Sequence, residues 1–372
     1  MKKKVAFIYF DDLHHIHHFI GVAAELAKND NIRVDIITYS NEHKYLNHLI
    51  KLLNAENINL VEVKTYKIRQ LIDKVKKRKR PSPLFLTKHN KKIMKSYDIL
   101  VFTDFKTVYF NKNHKTKFVY LNHGSGDGVY GYDIPNLSAF DLLLLAGKKI
   151  VNRALNEGLK NVDYKIVGYP KFDIALKEYQ ELKLFNNNKK TILYNPHNKV
   201  NLSSWYKHGV EVLEFFYHNK TYNLIFAPHI NLFNHKHYLS AEILDPKYFN
   251  AENIHMDLGS EKSSNMSYTL SADVYLGDVS SQVYEFIYKS RPCLFLNSNE
   301  IEWTNDPNYL HWNLGEVLLN ISSLKNELNN IEVTHQKYKQ IQKEFFENTF
   351  DISNEISSSK RAADEINKLI NQ

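Results

Sequence analysis

Three histidines stand directly after short apolar runs: His123 in FVYLNHGSGDG, His197 in LYNPHN and His229 in IFAPHI. Taken singly, each is most simply a hydrogen-bonded loop histidine. Recurring at the ends of three separate apolar runs, they point to the edge at which an open α/β sheet presents ligand-contacting residues. His123 is set apart by Gly124, Gly126 and Gly128, which let the backbone approach a ligand closely. A neutral histidine there can remove the proton of an attacking hydroxyl.

The segment ADVYLGDVSSQVYEFIYKSRPCLFLN, residues 272–297, carries the second signal. Its apolar start reads as a buried strand ending at Gly277 and Asp278. Ser280 and Ser281 follow, and residues 282–290 have helical character. Serine at a helix start caps free backbone N–H groups. The same geometry binds phosphate, because N–H groups, the helix dipole and two hydroxyls converge on one point. Both readings stand on this segment alone. Glu285, early in that helix, reads either as a surface residue complementing the dipole or as an acceptor for a ribose hydroxyl. In DDLHHIHH, residues 11–18, His14 and His18 have i,i+4 spacing. No metalloprotease glutamate lies between them, where His15, Ile16 and His17 stand, so no metal site is expected. Asp11 and His14 instead read as an exposed helix start or an acceptor-binding surface.

The elements that must position these residues alternate. Val5–Phe10 is a short apolar run, the residues from Ile16 to Ala27 recur at helical spacing, and Arg33–Thr38 is a second strand. That βαβ unit implies a parallel sheet. Further apolar runs stand at 59–63, 99–103, 118–121, 142–145 and 166–167. A polar segment, FNNNKK at 185–190, interrupts the pattern, and strands resume at 191–194, 223–226, 254–258, 274–276 and 293–296. Residues 316–370 read as long helices. The expectation is an α/β protein of two domains, 1–187 and 188–372, with a ligand at the carboxyl ends of the strands.

Composition narrows the function. The 372 residues are too many for one ordinary core, and 43% hydrophobic with 24% charged residues is globular composition. One cysteine, Cys293, excludes a disulfide framework and a cysteine-built zinc site. No apolar run approaches the ~20 residues that span a bilayer, and Val5–Phe10 is too short for a signal-peptide core. A cytoplasmic protein is expected. A net charge of +8, from 49 basic and 41 acidic residues, suits an anionic ligand or a membrane surface. No nucleic-acid-binding signature is present, so no nucleic-acid partner is expected. The sharpest charge run, Lys74–Arg80 (KVKKRKR), is either a solvated loop or a contact to anionic lipid.

The ordered set HG, GYPKFD, LY-x-P, PH and GD-x-SS, followed by RP-x-LFLN, resembles the CDP-glycerol glycerophosphotransferase family over about residues 123–297. The resemblance implies a GT-B-like architecture, two Rossmann-like domains facing across a cleft, here with C-terminal helices. It implies that a polyol phosphate moves from a CDP-polyol to a hydroxyl of a cell-envelope glycan or lipid-linked polymer, as in teichoic-acid or capsule synthesis. The enzyme would be peripheral on the inner face of the plasma membrane. By the same resemblance His123 is the base on the acceptor hydroxyl and His229 stabilises donor phosphate. Ser280 and Ser281 grip the pyrophosphate, and Glu285 stands near the ribose. Asp278, His197 and Gly168 lie in motifs expected on the donor side; Gly124, Ser125, Asp11 and His14 are expected on the acceptor side. The nucleotide-activated donor is a substrate, and the motifs require no cofactor or metal. The chain differs from the family at Ser125-Gly126, where Thr-Pro is common. It differs again at residues 197–199, where Thr-Trp-Arg is common, and at Val279, where tyrosine is common. A nucleotide-sugar glycosyltransferase on the same scaffold is the alternative, and a non-catalytic polymer-binding or assembly subunit is the second.

Overall fold

The computed structural model describes residues 2–10, 13–39, 43–75, 80–105, 115–128, 131–233, 239–353 and 355–371. Asp11, and residues 76–79 of the basic run, lie outside them. The strands of the first sheet are β1 (Lys3–Tyr9), β2 (Ile32–Thr38), β3 (Asn59–Glu62), β4 (Ile99–Phe102), β5 (Lys117–Leu121), β6 (Leu142–Leu145) and β7 (Asp163–Ile166). They lie in the order β3-β2-β1-β4-β5-β6-β7, every neighbouring pair parallel. Parallel strands with covered faces need apolar side chains on both sides, and ILVF in β4 and LLLL in β6 are buried throughout.

The second sheet repeats the plan. It comprises β8 (Thr191–Asn195), β9 (Asn223–Phe226), β10 (Ile254–Met256), β11 (Val274–Gly277), β12 (Cys293–Leu296) and β13 (Glu316–Leu318), in the order β10-β9-β8-β11-β12-β13, again parallel. In both sheets the strand order reverses beside the first strand, between β1 and β4 and between β8 and β11. Ligands bind at such a reversal, off the carboxyl ends. Two edge strands escape the sequence reading. β7 lies upstream of the run at 166–167 because three of its four residues are exposed. β13 interrupts what reads as helix, and three residues are too few to show a strand period.

The two-domain expectation changes in its boundaries. One compact unit contains residues 1–124, 132–178 and 347–372; the other contains 125–131 and 179–346. The polar linker falls in the second unit, where Asn187 and Asn223 exchange amide hydrogen bonds of 3.2 and 2.8 Å at the start of β9. The last helix, Ser358–Ile370, returns to the first unit. Its Ala362, Ala363, Ile366 and Ile370 join the core that the helix Ile16–Ala27 forms with the sheet. Polar groups fix its entry. The Tyr169 N–H donates to Ser358 Oγ (3.0 Å), and the Ser359 N–H donates to Asp173 (2.6 Å).

Gly168, expected on the donor side, sits at this joint. Its φ of +81° favours glycine, and an added Cβ would overlap Ser358 Oγ, the Arg361 guanidinium and the Asp351 carbonyl oxygen. Its neighbours here are all in the first unit, and its smallness serves packing there. Gly168→Ala should therefore lower stability by about 1–3 kcal/mol, the scale of overpacking at a backbone joint, and leave nucleotide affinity unaltered. Urea denaturation and calorimetry test both; an unchanged urea midpoint would refute the joint as described.

Candidate active site

Beyond β1 and β5 in the first unit, four imidazoles collect. The His123 ring centroid lies 4.2 Å from that of His15, 6.4 Å from that of His14 and 6.2 Å from that of His18. His14 and His15 belong to the short turn Leu13–His15, and His18 lies on the following helix, so one strand end and one helix start present all four rings. His15 Nδ1 lies 3.0 Å from Thr103 Oγ1, past the end of β4. Burial holds the proton affinity of both His15 and His18 well below the usual imidazole value. His123 lowers that of His15 further, and Lys171 that of His18. Both rings are therefore neutral at neutral pH. Gly124 follows His123 with a φ of +105°, a conformation glycine adopts without strain. Ser125 is fully buried and belongs to the second unit.

In the second unit, His197 and His229 follow β8 and β9 with ring centroids 5.4 Å apart. The Lys199 N–H donates to His197 Nδ1 (3.0 Å), and the Asn231 N–H donates to His229 Nδ1 (3.2 Å). A backbone N–H can only donate, so each Nδ1 is an acceptor and the proton of each neutral ring is on Nε2. Burial, then His229 and Lys199, push the proton affinity of His197 down to about 3. Two neutral N–H donors of fixed tautomer thus stand beside the reversal of strand order.

Asp278 ends β11 and is buried. Its carboxylate accepts from the Ser204 N–H (2.6 Å) and hydroxyl (2.8 Å), the His197 N–H (2.9 Å) and the Val279 N–H (2.6 Å). Burial pushes its pKa up to about 6, against the pull of these donors. Asp278 thereby ties the loop after β8 to the end of β11. Ser280 Oγ accepts from the Gln282 N–H (3.3 Å), a local capping bond, whereas the Ser281 side chain makes no cap. Glu285 is buried within the helix Gln282–Phe286. Arg291, of the RP motif, donates to the carbonyls of Thr269, Leu270, Ala272 and Phe286, so it closes helix ends.

Four further residues complete this region. Asp127, inside the glycine-rich motif, meets His311 (Nδ1 to Oδ2, 2.8 Å) and the Tyr284 hydroxyl (2.9 Å). Trp312 Nε1 donates to the Asp278 carbonyl (2.9 Å). Asp127 stood in a motif already singled out; His311 and Trp312 lie in a stretch with no strand or helix period.

His197 should show no imidazole titration between pH 5 and 8 by NMR. Its folded value near 3 lies below the unfolded value of about 6.5. Its contribution to stability is therefore present above pH 6.5 and is lost as pH falls towards 3. Asp278, raised to about 6, acts in the opposite sense over an overlapping range. Comparison of His197→Gln with wild type isolates the histidine: the variant should lose less stability between pH 6.5 and 4. An equal acid-side slope in the two proteins would contradict the neutral assignment.

The sequence model of CDP-Glycerol:Poly(glycerophosphate) glycerophosphotransferase matches residues 25–368. No curated protein matches in sequence. Among solved structures, the Wall Teichoic Acid Polymerase TagF is similar at 14% identity and a TM-score of 0.64, over 100% of this chain and 88% of that chain. A TagF variant soaked with CDPG has 15% identity and a TM-score of 0.63, with the same coverage. The S. aureus MnaA–UDP co-structure is similar at 13% identity and a TM-score of 0.65, over 99% of this chain and 96% of that chain. These neighbours place the fold in the GT-B class of two Rossmann-like domains. Since the family's sequence model spans nearly the whole chain, including every histidine and serine discussed except those before residue 25, the chain belongs to the CDP-glycerol:poly(glycerophosphate) glycerophosphotransferase family and is a transferase that uses a nucleotide-linked donor.

Proposed function

We propose that the donor is a CDP-polyol of the CDP-glycerol type and that its polyol phosphate passes to a hydroxyl of a glycan or lipid-linked polymer. The acceptor oxygen bonds to the β-phosphorus as the bond from that phosphorus to the pyrophosphate bridging oxygen breaks, and CMP leaves. His123 takes the proton of the acceptor hydroxyl. His197 and His229 donate from Nε2, and Ser280 and Ser281 from their hydroxyls, to the phosphate oxygens. Phosphoryl transfer depends mainly on positioning and electrostatic stabilisation.

The observation that carries this reading is the pair of neutral Nε2–H donors, His197 and His229, fixed by backbone N–H groups beside the strand reversal. Such donors suit anionic oxygens and make poor bases at their other nitrogen, which is already engaged. His123 then stands as the base, in a unit where neighbouring His15 and His18 are neutral. The UDP in the MnaA co-structure keeps a nucleotide-sugar donor as the second reading. A thermal-shift screen of CDP-glycerol, CDP-ribitol, CMP-sugars and UDP-sugars separates the two. With the donor identified, His123→Ala should cut turnover by about a hundredfold or more while donor affinity stays within about twofold of wild type. Near-wild-type turnover would remove His123 as the base.

The membrane contact has support in the helix Lys67–Val75. Ile68, Leu71, Ile72 and Val75, spaced i, i+3, i+4 and i+7, are 74, 62, 40 and 75% exposed, while Asp73 is buried on the opposite side against Arg69. An apolar stripe turned to solvent, with Lys67 and Lys74 exposed beside it, suits an anionic bilayer. No helix among the described residues is long and apolar enough to cross a membrane. Ile68, Leu71 and Val75 changed together to serine should abolish sedimentation with phosphatidylglycerol vesicles, and wild-type binding should weaken as salt rises. Equal sedimentation of the two proteins would exclude this helix.

A further inference from the structure

The serine turn is built on Asp278, and Asp278 is held from two sides. Its carboxylate grips the loop after β8, as described above. Its carbonyl oxygen accepts from Trp312 Nε1 (2.9 Å) and lies 3.1 Å from His311 Nε2. The other ring nitrogen of His311, Nδ1, lies 2.8 Å from Asp127 Oδ2, and the His311 backbone N–H donates to the same oxygen at 2.9 Å. The Tyr284 hydroxyl donates to both Asp127 oxygens at 2.9 Å. Asp127, His311 and Tyr284 are at most 4% exposed. The loop that carries Asp127 also meets the turn directly, since a Cβ added at Gly126 would lie 3.5 Å from Ser281 Cβ.

We propose that Asp127 and His311 are positioning residues for the donor site. They act through the Asp278 carbonyl and the Ser281 contact to hold residues 279–282 where both hydroxyls meet the donor phosphates. A buried carboxylate that accepts from a backbone N–H, an imidazole and a phenol has one low-energy arrangement. It therefore transmits that arrangement to the backbone one residue ahead of Val279. The inference rests on the reading of Ser280 and Ser281 as phosphate ligands, and its test has one arm that does not.

Asp127→Asn keeps the shape and turns one acceptor oxygen into an N–H group facing other donors. In the ligand-free protein, amide hydrogen exchange across 279–283 should quicken by about tenfold or more in this variant, while β8 and β9 keep wild-type protection. Tyr284→Phe, which removes only the phenol bond, should give the same pattern more weakly and serves if Asp127→Asn does not fold. Unchanged exchange across 279–283 in a folded variant overturns the proposal. The second arm is a cycle with Ser280→Ala/Ser281→Ala, read by calorimetry with CDP and CMP. Asp127→Asn should weaken nucleotide binding about tenfold with the serines present and less than about twofold without them. Equal losses in the two backgrounds overturn the route through the serines. If the wild type binds neither nucleotide, the donor reading falls and the exchange arm alone judges the positioning role.

Discussion

A carboxylate buried without partners is far too costly to keep, so the environment of Asp278 has to supply hydrogen-bond donors on every side. That requirement orders much of the second unit. The donors come from Ser204, His197 and Val279, and they pull the loop after β8 against the end of β11. With the His197 backbone pinned in this way, its ring faces His229, and two further backbone N–H groups settle which nitrogen of each ring carries the proton. One buried charge therefore fixes the backbone of a histidine 81 positions away. The residue is part of the site without needing to touch the donor.

The first unit reaches a comparable result by crowding. Burial and mutual repulsion keep His15 and His18 uncharged, and Lys171 adds to the effect on His18. A single exposed histidine near neutral pH divides its time between two protonation states. A packed group of them, with a buried lysine alongside, favours the uncharged form, which lowers proton affinity while keeping the ring nitrogen free of a proton at neutral pH. On the proposed reading the two units give histidine opposite tasks: in the first the ring is the base, and in the second it is a donor held by its own backbone.

Several motif residues turn out to serve the fold on which these tasks depend. Arg291 ends helices by satisfying carbonyls that would otherwise be buried and unpaired. Gly168 leaves room for the returning C-terminal segment, and Gly21 does the same where the last helix crosses the first, because a side chain there would strike Ser359. A motif is a stretch of chain in which several such demands coincide, and its residues divide between contact with ligand and support of the backbone that makes the contact.

The alternation of apolar runs with helical periods was enough to establish two parallel α/β sheets and to place His123, His197, His229 and the serine pair at strand ends, because burial on both faces and the 3.6-residue period are local properties of the chain. The tautomers, the neutrality of the histidine cluster and the Asp127–His311 pairing were not legible there. The tautomers come from N–H groups two residues on, presented by the folded loop, and the other two depend on residues up to 184 positions apart meeting in space. The edge strands β7 and β13 were missed because exposure and shortness erase the apolar signal. The return of residues 347–372 to the first unit was missed because amphipathic helices carry no record of which core their apolar face will join. Local pattern determined the elements and the class of chemistry; which buried group answers which was decided only when the chain closed on itself.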